Sequence, residues 1–348
     1  MSGDKDQEPN PQAGGARPHI LLALPEALRR ELFTPEAMAA LEGIGRVTLN
    51  QSGRNWSAEE LAEAMAGVDA LITGWGTPPI DERILDRADR LRLIAHSAGS
   101  IKRLIPDAAF ERGVAVTTAA VAIAPAVAEV SLLLILLGLR QVHRYDRATR
   151  EGSWEGPKAF GSGRELGAQR VGVVGAGFVG RESIRLLRPL AREVWVADPY
   201  LDPARAGELG VEVVPLRRLF AECAVITNHA PSTPETRHMI GEEQLRSMPD
   251  GALLVNTARS WSIDQEALLA ELRRGRIRAA LDVFDEEPLP AGSPLRSLDN
   301  VILTPHMAGA TLEARLRQGD TVVAEIGRFC GGGGLRHAVT VEQLKIMA

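Results

Sequence analysis

The stretch from Arg170 to Gly180, RVGVVGAGFVG, is compatible with few folds. Val171, Val173 and Val174 form the short β-branched run of a strand buried on both faces, and the pattern ESIRLLRPLA that follows Gly180 is helical. A strand that enters a helix through Gly175, Gly177 and Gly180 has a use for each glycine. The first permits the tight turn, the second lets backbone approach a pyrophosphate, and the third lets the helix pack close to the strand. Phosphate oxygens would then meet the free N–H groups at Phe178 and Val179. A glycine-rich βα connection is by itself a weak sign. Here a second apolar strand, EVWVAD, ends at Asp198, roughly 20 residues on, where a carboxylate accepts hydrogen bonds from adenosine ribose hydroxyls. This context predicts a bound dinucleotide.

The same βα unit recurs on either side. Ahead of the turn, Ile20–Leu24, Val47–Leu49, Ala70–Thr73, Leu91–Ala95 and Val114–Thr117 read as strands separated by helical patterns. Thr34 before Pro35 is an N-cap with proline at the first helical position, and Ser57 with Glu60 makes a capping box. After Asp198, strands are expected at Val211–Val214, Ala224–Thr227, Ala252–Asn256, Ala279–Val283 and Val301–Leu303. A helix from Asp264 to Arg274 is stopped by Gly275, and a last helix runs from about Leu312 to Phe329. Repeated alternation of this kind predicts parallel sheets with helices on both faces.

A length of 348 residues suggests two domains, with a boundary near Ala119. The net charge of −5 gives no reason to expect nucleic acid. Cys223 and Cys330 are the only cysteines, and they read as incidental thiols in a reducing, cytoplasmic setting. The seven histidines form no ligand-spaced cluster, so no metal is expected. Residues 1–17 read as a disordered polar tail without the apolar core of a signal peptide. The apolar run Val130–Leu139 is about ten residues, too short to span a bilayer. It belongs to PAVAEVSLLLILLGLRQVHRYD, read as one long helix from Pro125, buried either between domains or in a plain core. The glycine-rich excursion between Arg150 and Gly167 is a candidate for packing against a second subunit, as expected for a homodimer.

The ordered motifs GAGFVG, ADPY, HAPSTPETRHMI, LLVNTARS, ALDVFDEEP and LTPHMAG resemble the NAD-binding half of the D-isomer-specific 2-hydroxyacid dehydrogenases. The likeness is strong from Val127 to Ala310 and weak before it. It implies an α/β fold of two doubly wound parallel-sheet domains, a Rossmann NAD-binding domain over 119–310 and a flavodoxin-like substrate domain. The substrate domain would be discontinuous, built from 18–118 and 311–348, and would face the other across a cleft. The implied cofactor is NAD, the implied partner a small 2-oxo or 2-hydroxy acid.

Residue by residue, the resemblance sets the catalytic arginine at Arg259, its carboxylate at Glu287 and its acid/base histidine at His306. A guanidinium fork can bind the carboxylate of a 2-oxo acid while polarising its carbonyl. Proton exchange at the hydroxyl needs a group that titrates near neutrality, and an anion beside the imidazole orients it and favours its charged form. Taken singly, each of the three would be an ordinary surface or strand-end side chain. All three nevertheless follow strand C-termini of the sheet that carries the glycine turn, where open α/β sheets bind ligands. Cofactor-lining positions carried over in the same way are Pro231, Thr236, Ala258 and Gly309, with Asp282 beside the nicotinamide carboxamide. His229 and His238 are read as structural.

Where the family usually has a Gly-x-Asp turn, Gly99 is followed by Ser100 and Ile101, and where it has a PGxN-like segment this chain has Ala120, Val121, Ala122 and Ile123. Larger apolar groups there favour a 2-oxo acid with an apolar tail. The N–H groups around Ala98, Gly99 and Ser100 would hold the substrate carboxylate, with His96 or Lys102 at the rim. Two other readings compete: a non-enzymatic NAD(H)-sensing binding protein resembling the corepressors of this group, and a formate dehydrogenase. Retention of Arg259, Glu287 and His306 argues against the first, and Glu287 in place of a glutamine against the second.

Overall fold

Every ladder between the named strands of this chain is parallel. The computed structural model describes residues 17–154 and 160–347, so nearly all of the 1–17 tail and residues 155–159 of the polar excursion lie outside it. Strands β1 (His19–Leu22), β2 (Arg46–Leu49), β3 (Ala70–Thr73), β4 (Leu93–His96) and β5 (Ala115–Thr118) form one sheet in the order β2-β1-β3-β4-β5. This is the flavodoxin-like order. The second sheet contains β6 (Arg170–Val174), β7 (Glu193–Ala197), β8 (Glu212–Val213), β9 (Val225–Asn228), β10 (Leu253–Asn256), β11 (Arg278–Leu281) and β12 (Val301–Leu303). Its order, β12-β11-β10-β9-β6-β7-β8, is the Rossmann order with one strand added, and the strand order reverses between β6 and β9. Apolar clusters cover both faces of each sheet, which explains why β1, β3, β4, β9 and β10 are uninterrupted buried runs.

The glycine turn is sterically specified. Gly175 has φ +88°, and a Cβ there would stand 2.9 Å from the backbone carbonyl of His229. A Cβ on Gly180 would stand 2.0 Å from the Gly175 carbonyl oxygen, so only glycine lets the Phe178–Leu187 helix begin so close to β6. Around Gly177 there is open space.

The long apolar helix departs from expectation at both ends. It runs Ala120–Arg140, starting before Pro125 and carrying that proline in its second turn. Proline there forgoes the hydrogen bond to the Val121 carbonyl and crowds that carbonyl with its ring. At the other end Gln141 adopts φ 54°, its side chain bonds the Phe160 carbonyl at 2.8 Å, and the polar remainder turns off as a separate helix, Val142–Arg150. The ten-residue run is thus part of a 21-residue helix containing an 18-residue window of mean hydropathy 2.4, long and apolar enough for a bilayer, and half of that window is buried inside the protein. A Cβ on Gly138 would stand 2.6 Å from Leu253, so the helix lies hard against β10.

The Leu312–Cys330 helix packs on the first sheet with the Glu26–Leu32 and Pro35–Ile44 helices. A Cβ on Gly319 would stand 1.9 Å from the Leu32 carbonyl oxygen. Beyond it the buried Glu325 carboxylate accepts the N–H groups of Arg336 and His337 at 2.9 Å. The chain then bridges β5 through Thr117 and Ala338.

Two buried imidazoles make the fold acid-sensitive. His96 Nδ1 lies 3.0 Å from Thr73 Oγ1 and His229 Nε2 lies 3.0 Å from Thr227 Oγ1, and burial pushes their pKa values down to about 4 and about 3. Below their ordinary pH range the unfolded chain takes up both protons while the folded chain does not. Stability is therefore complete above about pH 6.5 and falls by about 1.4 kcal/mol per pH unit for each histidine on acidification towards those values. Thermal melts between pH 7 and 5 should show this slope, and His96→Gln or His229→Asn should flatten it. An unchanged slope in both variants would exclude the two imidazoles as its source.

Candidate active site

The carboxyl ends of β6 and β7 form the first part of the site. Gly177 caps the Phe178–Leu187 helix without a side-chain partner, so the N–H groups of the first turn, including Phe178 and Val179, are available to an acceptor. Gly177 and Phe178 are exposed and Val179 is half-buried. Open space over Gly177, with free N–H groups beside it, fits a pyrophosphate. Asp198, just past β7, accepts the Ala176 N–H at 2.6 Å through Oδ2 and the Tyr200 N–H at 2.8 Å through Oδ1. It therefore ties the glycine turn to β7, while each oxygen keeps a lone pair for a ribose hydroxyl.

Next come the loops after β9 and β10, organised by two amides that motif reading passed over. Asn228 and Asn256 are register partners, each the last residue of its strand and each buried. Asn228 Nδ2 donates to Asn256 Oδ1 at 3.0 Å and to Ser262 Oγ at 2.8 Å. Asn256 Oδ1 also accepts the Ala258 N–H at 3.1 Å, and its Nδ2 donates to the Arg259 carbonyl at 3.0 Å. An asparagine ending two apolar strands, VITN and LLVN, was the available signal. Through this network Ala258 and Arg259 acquire a fixed backbone. The Arg259 side chain is open to solvent in a recess whose walls desolvate it, which lowers its pKa against the raising pull of Glu287. In the loop after β9, Thr236 Oγ1 donates to the Pro231 carbonyl at 2.6 Å, so these two positions shape one another.

The third part follows β11 and β12. Asp282 is fully buried, and its Oδ1 accepts from Thr304 Oγ1 at 2.6 Å and from the Met307 N–H at 2.9 Å. Its Oδ2 accepts the Ala308 N–H at 3.0 Å. The turn so clasped contains His306 at φ 52°, a left-handed conformation that a non-glycine residue adopts when its surroundings impose it. His306 Nδ1 lies 2.6 Å from Glu287 Oε2, and Glu287 Oε1 accepts the Phe284 N–H at 2.9 Å. Burial tends to raise the Glu287 pKa, but the bonds from His306 and Phe284 outweigh it and hold the carboxyl below its ordinary value. With Nδ1 engaged, Nε2 is the nitrogen left to face a ligand.

The opposite wall comes from the first sheet. Ala98, Gly99 and Ser100 follow β4, with Ala98 buried and Ser100 exposed. Ile123 reaches between the two halves: its Cδ1 is 3.9 Å from a Cβ placed on Gly99, and its Cγ2 is 2.8 Å from one placed on Gly309. Lys102 crosses the cleft to the Ser232 carbonyl. His96 is buried behind the loop rather than at the rim, because it pairs with Thr73 inside the sheet. His229 is enclosed beneath the glycine turn, and His238, at φ 50°, lies exposed. No group of three or more potential metal-ligating side chains occurs among the described residues.

Among known proteins, a glyoxylate reductase of Thermofilum pendens is 34% identical over 336 residues, covering 93% of this chain and 97% of that protein. A D-3-phosphoglycerate dehydrogenase of Methanocaldococcus jannaschii is 36% identical over 292 residues, 83% of this chain but 54% of the relative, so the chain spans about half the length of such relatives. A solved phosphoglycerate oxidoreductase from Rhizobium etli shares the fold with a TM-score of 0.76 at 29% identity, covering 93% of this chain and 98% of that one. Residues 132–308 match the family described as D-isomer specific 2-hydroxyacid dehydrogenase, NAD binding domain. Together with the Rossmann strand order and the glycine turn, these likenesses mean that the chain belongs to the D-isomer specific 2-hydroxyacid dehydrogenase family.

Proposed function

We propose that the protein is an NAD-dependent oxidoreductase that interconverts a 2-oxo acid and the corresponding D-2-hydroxy acid. The observation that carries this reading is the 2.6 Å contact between His306 and Glu287 on a left-handed turn clasped by Asp282. In this reading the nucleotide lies along Gly175–Gly180, Asp198, Pro231, Thr236, Ala258, Asp282 and Gly309, in a domain spanning 119–310. Residues 18–118 and 311–348 supply the substrate side. The cofactor, when bound, supplies or accepts the hydride. Arg259 binds the substrate carboxylate and polarises the carbonyl through its planar fork, and the N–H groups at Ala98–Ser100 hold the carboxylate from the other side. In reduction, His306 Nε2 gives its proton to the carbonyl oxygen as negative charge develops there, and in oxidation it takes that proton back. Glu287 orients the ring through its bond to Nδ1.

Ile123, placed between Gly99 and Gly309, presents an apolar wall to whatever stands between His306 and the Ala98–Ser100 loop. The substrate preferred is accordingly a 2-oxo acid with an apolar tail. Asp198 favours the unphosphorylated ribose of NADH, because a carboxylate repels a 2′-phosphate. Exposed Leu133 and Leu136, one turn apart on the Ala120–Arg140 helix, support a homodimer through that face. Free Cys223 and Cys330 suit a reducing cytoplasm.

Assayed by loss of NADH absorbance against a panel of 2-oxo acids, 4-methyl-2-oxopentanoate should exceed glyoxylate in kcat/KM, each matched methylene being worth roughly 1–3 kcal/mol. No turnover of any panel member would end the enzyme reading, and NADPH equal to NADH would end the reading of Asp198. His306→Ala should lower kcat by about 10² to 10⁴ with NADH binding nearly intact. Glu287→Gln should lower kcat less than His306→Ala does, because the amide can still accept from Nδ1 but the bond that orients the ring loses its charge. Arg259→Lys should chiefly raise the KM for the oxo acid. Near-normal kcat in His306→Ala would remove His306 from its role. Light scattering should give the mass of two chains, and a monomer mass at micromolar concentration would overturn the dimer.

A further inference from the structure

The segment that follows β4 is held at both ends, each time by a different domain. At its start the Ser97 Oγ donates to the Thr73 carbonyl at 2.9 Å, and the Ser97 carbonyl accepts from the buried Gln318 amide of the Leu312–Cys330 helix. At its end Lys102 Nζ donates to the Ser232 carbonyl at 2.5 Å, on the far side of the cleft. Between these two anchors lie Ala98, Gly99 and Ser100, whose N–H groups meet no protein acceptor among the described residues.

The receiving loop is rigid. Thr236 Oγ1 donates to the Pro231 carbonyl at 2.6 Å and accepts the Thr233 N–H at 2.9 Å, and Trp261 Nε1 donates to the Thr233 carbonyl at 2.7 Å. Trp261 is two residues beyond Arg259. Two hydrogen bonds, Lys102 to Ser232 and Trp261 to Thr233, joined by short stretches of backbone, therefore link the Ala98–Ser100 loop to the segment that carries Arg259. Lys102 makes no ion pair within 4.0 Å among the described residues, and its ammonium is spent on a neutral carbonyl of the opposite domain. Such a bond serves geometry. Enclosure between the domains lowers its pKa, and the charge of Glu235 works in the opposite direction.

We propose that Lys102 is a positioning residue that couples the two halves of the site, so that nucleotide held against the Pro231–Thr236 loop orders the Ala98–Ser100 loop for the substrate carboxylate, and the reverse. Any such coupling is reciprocal: whatever factor the nucleotide adds to oxo-acid affinity, the oxo acid adds to nucleotide affinity. The inference rests on the dehydrogenase reading above, and its test separates the two.

Calorimetric titration of NAD⁺, alone and with saturating 4-methyl-2-oxopentanoate, uses two oxidised ligands that cannot react with each other. In the wild-type protein the oxo acid should tighten NAD⁺ by at least about fivefold, the lower end of ordinary coupling between sites. In Lys102→Met the tightening should fall below about twofold while the Kd of NAD⁺ alone stays within about threefold, and Lys102→Arg, which keeps a cationic donor, should retain most of it. In steady state Lys102→Met should raise the KM for the oxo acid more than it lowers kcat. A role confined to stability would shift melting temperature and leave the coupling intact. Wild-type coupling preserved in Lys102→Met, or no coupling in the wild-type protein, would overturn the proposal while leaving the enzyme reading standing. Failure of the wild-type protein to bind NAD⁺ at all would bring down both.

Discussion

The candidate site hangs on one buried carboxylate. Asp282 lies at the end of β11 with no exposed surface, and it takes three hydrogen bonds from the Thr304–Ala308 turn. A carboxylate without water around it must satisfy its oxygens from the protein, and here the donors are two backbone N–H groups and a hydroxyl. That requirement fixes the path of the turn, and the path places His306 in a left-handed conformation beside Glu287. The geometry of the pair is a consequence of satisfying Asp282 rather than of any attraction between the histidine and the glutamate alone.

The same logic repeats one and two strands away. Asn228 and Asn256 end adjacent parallel strands, and their amides satisfy each other and the backbone of the Arg259 loop. Asp198 at the end of β7 does so for the glycine turn. Parallel strands bring all these ends to one edge, where unpaired backbone groups of the connecting loops need partners. Short polar side chains at strand ends supply them, and the first N–H groups of the Phe178–Leu187 helix are left without a side-chain cap.

The two sheets contribute unequally. The second presents nucleotide turn, arginine, glutamate and histidine. The first presents a loop of free N–H groups, held by Gln318 from behind and by Lys102 across the cleft. The Leu312–Cys330 helix joins the two, since it starts six residues after His306 and packs on the helices of the first sheet. A displacement of one sheet relative to the other would therefore be felt at both walls of the cleft.

Much of this was legible before any coordinates. Sequence alone determined the parallel architecture, because runs such as ALIT, VITN and LLVN show no alternation of apolar and polar residues, and a strand buried on both faces has no polar side to show. It determined the glycine turn too, because Gly175 and Gly180 are steric necessities whose spacing survives in the sequence. What it missed were features set by contacts between distant residues. The long helix extends back through Pro125 because its buried face continues to Ala122, and the polar stretch after Arg140 leaves the helix axis at Gln141, whose side chain bonds the Phe160 carbonyl. His96 is drawn inside by Thr73, and Asp282 clasps the turn that carries His306. Residues that share a strand or a helix turn are coupled by local geometry that periodicity records. Partners such as Lys102 and Ser232, or Asn228 and Ser262, are brought within bonding distance only when the sheets assemble, and that was decided by tertiary structure alone.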